Sequence, residues 1–242
     1  MRRPLLFAGP ILFLSLAVCA GCAGTGAPGR ASSSGVAQCK EPVAAPQYLV
    51  GEKFTWEYTD GKKRVWEVTG VEGNLTRITW RDEKMPSDSE KEGVYFLDPD
   101  WVIQKAISKQ GEVILSPTPS RAFMTLGLRY LDFPLQMGKS WKVMYQGRNP
   151  RGDLKSWLVR LKVVGCEEIA TPAGKFLAVK IERYDFMLPN SLSGTAYWWY
   201  APDAKNLVKF ECVPSEDYWG TLPPEYELIG LELKESVPRT SQ

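Results

Sequence analysis

Histidine is absent from this chain of 242 residues. Its absence removes Ser-His-Asp and Cys-His catalysis, His-ligated zinc and the HExxH metalloproteases from consideration. The chain also has no Gly-x-Ser-x-Gly motif and no Ser-x-x-Lys dyad. Gly138-Lys139-Ser140 resembles the end of a phosphate loop, but Phe133 stands where the loop requires glycine. We therefore expect no catalytic residues, no metal site and no cofactor.

An excess of charge of either sign is also missing. Lys and Arg number 30 against 28 Asp and Glu. Because Arg2 and Arg3 lie in the N-terminal segment, the remainder of the chain is formally neutral, and it contains no dense basic block. A nucleic acid partner is therefore not expected.

Only one long apolar run occurs, from Leu5 to Ala20, directly after Arg2 and Arg3. A membrane-spanning helix needs about 20 apolar residues. A charged start, roughly 15 apolar residues and then small residues are typical of a secretory signal peptide. We assign residues 1–21 to a signal peptide.

The end of this segment, Ala20-Gly21-Cys22, resembles the bacterial lipobox, although Cys19 stands where Leu or Val is preferred. The resemblance implies that Cys22 carries acyl chains such as palmitate, which hold the protein to a membrane. Ala23, rather than Asp, resembles the outer-membrane sorting signal of enteric bacteria. The alternative is an ordinary signal peptide cleaved near Ala23, which leaves no lipid.

Residues 22–46 contain almost no large apolar side chains. Such a segment cannot bury enough surface to offset the entropy of ordering it, so it is predicted to be a flexible tether. A tether directly after a lipidated cysteine suits a domain anchored to the outer membrane and facing the periplasm.

Most of the chain after Tyr48 alternates between apolar and polar residues, as in Phe54, Trp56 and Tyr58. Alternation with period two is typical of antiparallel strands with one buried face. With turn residues between the segments and no long helical pattern, the sequence predicts an all-β fold. We expect a large antiparallel meander curled into a half-barrel, a barrel or a sandwich.

Two pairs of segments are similar and indicate two related halves of five to six strands. Residues 50–58 match 137–145, and residues 94–107 match 197–211. The predicted organisation is a first β repeat at 47–116, a connection at 117–136, a second repeat at 137–236 and a tail at 237–242. Coincidence in a β-rich chain is the alternative.

Three phrases carry a family resemblance: Phe133-Pro-Leu-x-x-Gly-Lys-x-Trp141, Thr171-Pro-Ala-Gly-x-Phe176 and Trp199-Tyr-Ala-Pro-Asp203. They resemble a family of uncharacterised envelope proteins of Gram-negative bacteria, known as a domain of unknown function. The resemblance spans roughly residues 130–235. It implies export and a curved β-sheet, and it implies no activity.

Three cysteines remain in the predicted mature chain besides Cys22. Cys212 shares parity with Val208 and Phe210 and should face the core. Cys166 shares parity with Arg160 and Lys162 and should face outward unless a bulge intervenes. A disulfide between Cys39 and Cys166 is therefore more plausible than one between Cys166 and Cys212. A buried free thiol at Cys212 with no disulfide at all is the alternative.

Aromatic residues are most dense at Tyr197-Trp198-Trp199-Tyr200. Alternation places Tyr197 and Trp199 on one side of a strand and Trp198 and Tyr200 on the other. One pair should be core, and the other forms an exposed patch for a ligand or partner, unless both pairs are packed inside.

Three functions follow from these features. The first is a non-enzymatic envelope lipoprotein that binds an apolar ligand or a peptide on its curved, aromatic-rich sheet. The second is a structural or assembly factor that contacts an outer-membrane or cell-wall partner. A remote third is a polysaccharide hydrolase that uses a carboxylate pair, for which the available acids are Asp98, Asp100, Glu167, Glu168, Glu182 and Asp185.

Overall fold

The computed structural model describes residues 41–83, 92–108, 129–148, 154–188, 192–213 and 225–235. The predicted signal peptide, Cys22, Cys39 and the tail lie outside the described residues. The strands are β1 (Lys53–Tyr58), β2 (Lys63–Glu72), β3 (Leu75–Glu83), β4 (Glu92–Leu97), β5 (Ile103–Ser108), β6 (Ser140–Arg148), β7 (Leu154–Thr171), β8 (Gly174–Leu188), β9 (Leu192–Ala201), β10 (Asn206–Val213) and β11 (Tyr226–Glu232). Within the described ranges, no helix has the length and apolarity that crossing a membrane would require.

All eleven strands form one antiparallel sheet in the order β5-β4-β3-β2-β1-β11-β10-β9-β8-β7-β6. The predicted all-β meander is confirmed. The first half is a sequential meander from the centre of the sheet to the edge strand β5, and the second is a sequential meander from the edge strand β6 to the centre. β11 joins the halves by pairing with both β1 and β10. Because there is one sheet and its edges β5 and β6 are not paired with each other, the fold is neither a sandwich nor a closed barrel.

The sheet is strongly curled. Trp101, in the turn between β4 and β5, contacts the ring of Tyr200 at the end of β9, with centroids 6.1 Å apart. In the sheet order, β4, β3, β2, β1, β11 and β10 lie between β5 and β9. This contact is possible only because the sheet wraps around its own inner face.

Matching hydrogen bonds occur where each half of the sheet begins. Gly51 N donates to the carbonyl of Val68 at 2.7 Å, and Gly138 N donates to the carbonyl of Val163 at 3.0 Å. The return bonds also match, since Val68 N donates to Glu52 O and Val163 N donates to Lys139 O, both at 2.9 Å. β1 and β6 therefore start in the same way, at the segments that sequence similarity pairs.

The second strand of each half carries a bulge at the matching position. The register shifts between Val68 and Gly70 in β2 and between Val163 and Gly165 in β7.

The two halves also match in a contact between their fourth and fifth strands. In each half, a lysine on the fifth strand lies against an aromatic ring on the fourth. Lys105 lies 5.2 Å from the Phe96 ring, and Lys209 lies 5.4 Å from the Trp199 ring.

The core fills the inner face of the curled sheet and is dominated by aromatic rings. One chain of ring contacts runs from Tyr48 through Phe54, Trp56 and Trp66 to Tyr95. A second chain links Tyr58, Tyr226, Phe210, Trp198 and Tyr130. These rings pack edge-on or stacked against one another. They therefore fill the inner face of the sheet, where a lipid-carrying protein of this shape would hold its ligand.

Two segments outside the strands also pack against the sheet. Val43 and Leu135 exchange backbone hydrogen bonds of 2.8 Å each way, so residues 41–46, which composition assigns to the tether, are held against the domain. Leu131 and Leu135 of the predicted connection are fully buried in the core. We call residues 41–49 the entry segment.

Candidate functional site

The four aromatic residues at 197–200 lie on opposite faces of β9, as alternation predicts. Trp198 and Tyr200 face the core, opposite Ile181 and Val179 of β8. Trp199 and Tyr197 face outward, opposite Lys180 and Glu182. Trp198, Trp199 and Tyr200 are all buried, with exposed fractions of 4%, 3% and 1%. An exposed aromatic patch is therefore wrong for these three residues, and only Tyr197 is half-buried.

Neighbouring strands cover the outward ring of Trp199. Lys180 of β8 and Lys209 of β10 lie 5.0 Å and 5.4 Å from its ring centre. The indole Nε1–H donates to Glu167 of β7 at 2.6 Å. Glu167 reaches Trp199 across the small, fully buried Ala178 of β8. A sheet face that alternation leaves open to water is closed here by long side chains.

Trp199, Tyr197, Glu167, Lys180 and Lys209 form an outer cluster, in which Lys180 and Glu167 balance each other's charge. Lys180 lies 3.1 Å from Glu167 and 4.7 Å from the Tyr197 ring. Burial alone would raise the pKa of Glu167, but the Trp199 N–H and Lys180 outweigh it and lower the pKa below the usual range. A depression of about 290 Å³ beside the cluster is lined by Val164, Gly165, Cys166, Glu167, Lys180, Glu182 and Tyr197. Its size and paired charges suit solvent better than a drug-sized ligand.

The other end of β9 contains a buried polar network. The Trp101 indole donates to the Tyr48 hydroxyl at 2.9 Å, and Tyr48 in turn donates to the carbonyl of Lys205 at 2.9 Å. The Lys205 ammonium bonds the fully buried Glu52 carboxylate at 2.5 Å. Burial raises the pKa of Tyr48 well above its usual value, which keeps the hydroxyl protonated as a donor. These groups saturate one another and act as structural supports.

The backbone at this network is unusual at two points. Trp101 and Lys205 both have positive φ values, 66° and 55°. Each is the last residue of a turn, since Trp101 N donates to Asp98 O and Lys205 N donates to Pro202 O. A left-handed conformation is costly for residues with a Cβ. The network therefore holds both turns in a conformation that they would not favour alone.

A groove of about 570 Å³ lies next to this network, between the entry segment and the turn from β9 to β10. Most of its lining side chains are apolar, while backbone and charged groups supply nearly as much of its surface. The lining residues are Glu41, Pro42, Val43, Ala44, Ala45, Pro46, Gln47, Leu49, Tyr200, Pro202 and Lys205. The volume falls within the range of small-molecule sites. Tyr200 is therefore the one predicted aromatic residue that lines a space of ligand size.

Most of this groove was not identified from the sequence. Composition places Pro42–Pro46 in a flexible tether, because these residues are small or proline. The signal that could have identified the docked segment is the apolar character of Val43, Tyr48 and Leu49, which contrasts with the Gly- and Ser-rich residues before it.

The cysteines occupy different environments. Cys166 is disulfide-bonded, and its predicted partner, Cys39, lies outside the described residues. A bulge after Val163 intervenes, so Cys166 faces the core rather than outward and lies opposite Val179, with 2% exposed. Cys212 is a buried free thiol, and burial raises its pKa to about 12.

Five of the six acidic residues considered for hydrolysis have structural partners; Glu182 lies opposite Lys162 in the β7–β8 ladder. Asp185 accepts from Arg183 at 2.8 Å, and Asp98 accepts from the Val102 backbone at 2.9 Å. Asp100 pairs with Arg129 at 3.1 Å, and Glu168 lies 3.9 Å from Lys175. In the part of the chain that the structure describes, no group of three Cys, Asp or Glu side chains could hold a metal ion.

These features define an all-β domain with one open, curled antiparallel sheet, a ring-filled core and one apolar groove. No protein-family model and no curated protein sequence matches the chain. Solved structures match it at low identity. One is a predicted exported protein with a YmcC-like fold from Bacteroides fragilis, with 15% identity and a TM-score of 0.42, covering 79% of this chain and 100% of that one.

Two further structures match at a similar level. A predicted lipoprotein from Parabacteroides distasonis has 16% identity and a TM-score of 0.43, covering 80% of this chain and 100% of its own. The hypothetical lipoprotein YmcC from Escherichia coli has 10% identity and a TM-score of 0.42, covering 78% of this chain and 86% of its own.

Proposed function

We propose that this protein is a lipid-anchored binding protein of the bacterial cell envelope, without catalytic activity. Its ligand is an acyl chain, which lies in the groove between the entry segment and the β9–β10 turn. The observation that carries this proposal is a groove of about 570 Å³ in which most of the lining side chains are apolar. A domain tethered to a bilayer through Cys22 lies next to lipid, and acyl chains are the main apolar groups there.

The shape and polarity of the groove favour an elongated ligand. Residues 41–47 run along one wall, and an extended segment of this length spans about 20 Å. Glu41, Gln47 and Lys205 are the polar members of the lining, and the other members are apolar. Burial of CH₂ groups is worth about 0.8 kcal/mol each, so a chain that fills the groove gains affinity without specific polar contacts.

The test uses residues 22–242 with Cys22→Ser, so that no lipid is attached, and a dansyl-labelled fatty acid as the probe. We expect the dansyl emission to rise and shift to the blue on binding. Ala45→Trp should strongly reduce the change, because Ala45 lines the groove and an indole would occupy much of the space that an acyl chain needs. Ala170→Trp, at an exposed position on β7, is the matched control and should bind like the parent chain.

Equal binding by Ala45→Trp and the parent would rule out this groove as the acyl site. No binding by the parent, with the fold intact by near-ultraviolet circular dichroism, would rule out the proposed ligand.

A further inference from the structure

The edge strand β6 has backbone groups that point away from the sheet. Val163 N donates to Lys139 O, which fixes the phase of the ladder between β6 and β7. Because hydrogen-bonding direction alternates along a strand, Trp141 and Val143 bond to β7, whereas the N–H and C=O groups of Ser140, Lys142 and Met144 face outward. Within the described residues, β6 pairs with β7 alone.

The counterpart of β6 in the first half is β1, and β1 accepts a strand on the corresponding edge. The two strands share their starting turns, their return hydrogen bonds and the bulge in the following strand. β11 pairs antiparallel with β1 along its whole length, from Lys53 opposite Glu232 to Tyr58 opposite Tyr226. Within the described ranges it pairs with β10 at Lys209 and Phe210 alone. Among these residues, β1 is therefore the main partner of β11.

Side chains on β1, which has a strand on each side, are more buried than those on β6, which has one neighbour among the described strands. Phe54 and Trp56 of β1 have exposed fractions of 0% and 1%. At the matching positions of β6, Trp141 is half-buried and Val143 is 8% exposed, and Met144 on the outer face is 67% exposed. Trp141 on the inner face and Met144 on the outer face thus present apolar surface that an added strand would cover.

Charge is also uncompensated beside β6. Lys142 and Arg160 are exposed on the outer face and lie directly opposite each other, and Arg160 has Tyr184 on its other side. Neither forms a salt bridge within the described ranges, whereas Lys53 of β1 pairs with Glu232 of β11 at 3.5 Å. A strand beside β6 with acidic residues on its outer face would supply the missing partners.

We propose that β6 is an acceptor edge for an extended polypeptide segment of a partner protein. The segment adds antiparallel to β6 and alternates apolar with acidic residues, as β11 does with Leu228, Leu231 and Glu232. In the register of β11 on β1, Leu231 and Leu228 lie opposite Trp141 and Val143. Glu232 then lies opposite Ser140, on the diagonal to Lys142. Main-chain hydrogen bonds supply affinity and the alternate side chains supply specificity, as in other cases of strand addition.

The experiment uses the mature lipoprotein in detergent and a synthetic peptide with the β11 sequence, residues 225–234, as the probe. We expect saturable binding by calorimetry, with slower hydrogen exchange at the amides of Lys142 and Met144. Met144→Pro removes one outward N–H, which proline tolerates at an edge, and should weaken binding about tenfold. Met144→Ala is the matched control and should change binding little.

A pair of modified peptides keeps the test independent of whether Met144→Pro folds. Methylation of the amides at Gly230 and Glu232, which β11 directs at β1, should abolish binding. Methylation at Ile229 and Leu231 should preserve it. Absence of binding by the unmodified peptide, equal binding by both methylated peptides, or binding without protection of Lys142 and Met144 would each overturn the proposal.

Discussion

Arg64 and Asp82 form the best-buried ion pair described in the sheet. The guanidinium makes two bonds of 2.6 Å to the two carboxylate oxygens, and the side chains are 7% and 9% exposed. The Arg64 guanidinium also lies 5.9 Å and 5.5 Å from the centres of the Tyr58 and Trp80 rings. Burial opposes the charge, yet Tyr58 and Asp82 raise the pKa of Arg64 above its usual value.

Removal of one partner from this pair should strongly destabilise the domain. Asp82→Ala leaves a buried guanidinium without its carboxylate, and such changes cost about 3–5 kcal/mol. The free energy of unfolding from urea titration measures the loss. Glu232→Ala, which breaks the exposed pair with Lys53, should cost no more than about 1 kcal/mol. Equal losses in the two variants would contradict a special role for the buried pair.

The turns that lead into β1 and β6 have the same backbone conformation. Gly51 and Gly138 have φ values of 91° and 78° and occupy the third position of their turns. A hydrogen bond from Glu52 N to Leu49 O closes the first turn, and one from Lys139 N to Gln136 O closes the second. A type II turn requires positive φ at this position, which glycine adopts without strain. Both halves thus begin with the same turn for the same backbone reason.

Alanine at these glycines should destabilise both turns. For Gly138→Ala, nothing lies within 4 Å of the added Cβ, so the cost is the left-handed backbone alone, about 1–2 kcal/mol. Gly51→Ala should cost at least as much, because Lys234 Cε lies 3.0 Å from the Cβ position. Thermal melting measures both. Gly70→Ala, where φ is not positive, is the control and should stay within about 0.5 kcal/mol of the parent.

Bulges are the elements that alternation could not locate. Val163 and Val164 look alike in sequence, and nothing in their side chains marks which one lacks a cross-strand partner. The register shift nevertheless decides which face Cys166 occupies. Alternation correctly placed Cys212 towards the core, because no shift intervenes between Phe210 and Cys212.

At the scale of the whole molecule, β11 brings the C-terminal end of the sheet back beside its first strand. β1 and β11 lie at the centre of the sheet, and β5 and β6 form its edges. The described strands therefore begin and end at the centre of the sheet, and the entry segment that precedes β1 lies against the β9–β10 turn. The acceptor edge and the groove are consequences of this arrangement.

Attachment to the membrane is the prediction that concerns the whole protein. Cys22→Ser should move the protein from the membrane fraction to the soluble fraction, because serine lacks the thiol that the acyl group requires. Fractionation followed by immunoblotting measures this shift. Cys19→Ser, three residues earlier in the predicted signal peptide, should remain with the membrane. Retention of Cys22→Ser in the membrane would contradict lipid anchoring.

The sequence by itself determined the all-β class, the meander and the similarity of the two halves, because period-two alternation and turn residues act locally along the chain. Only the tertiary structure decided that Trp199 is covered, that Cys166 faces the core and that residues 41–46 line a groove. Each of these depends on contacts between residues far apart in the chain, such as Glu167 with Trp199 and Val43 with Leu135. Local periodicity carries no information about which distant side chain covers a given face.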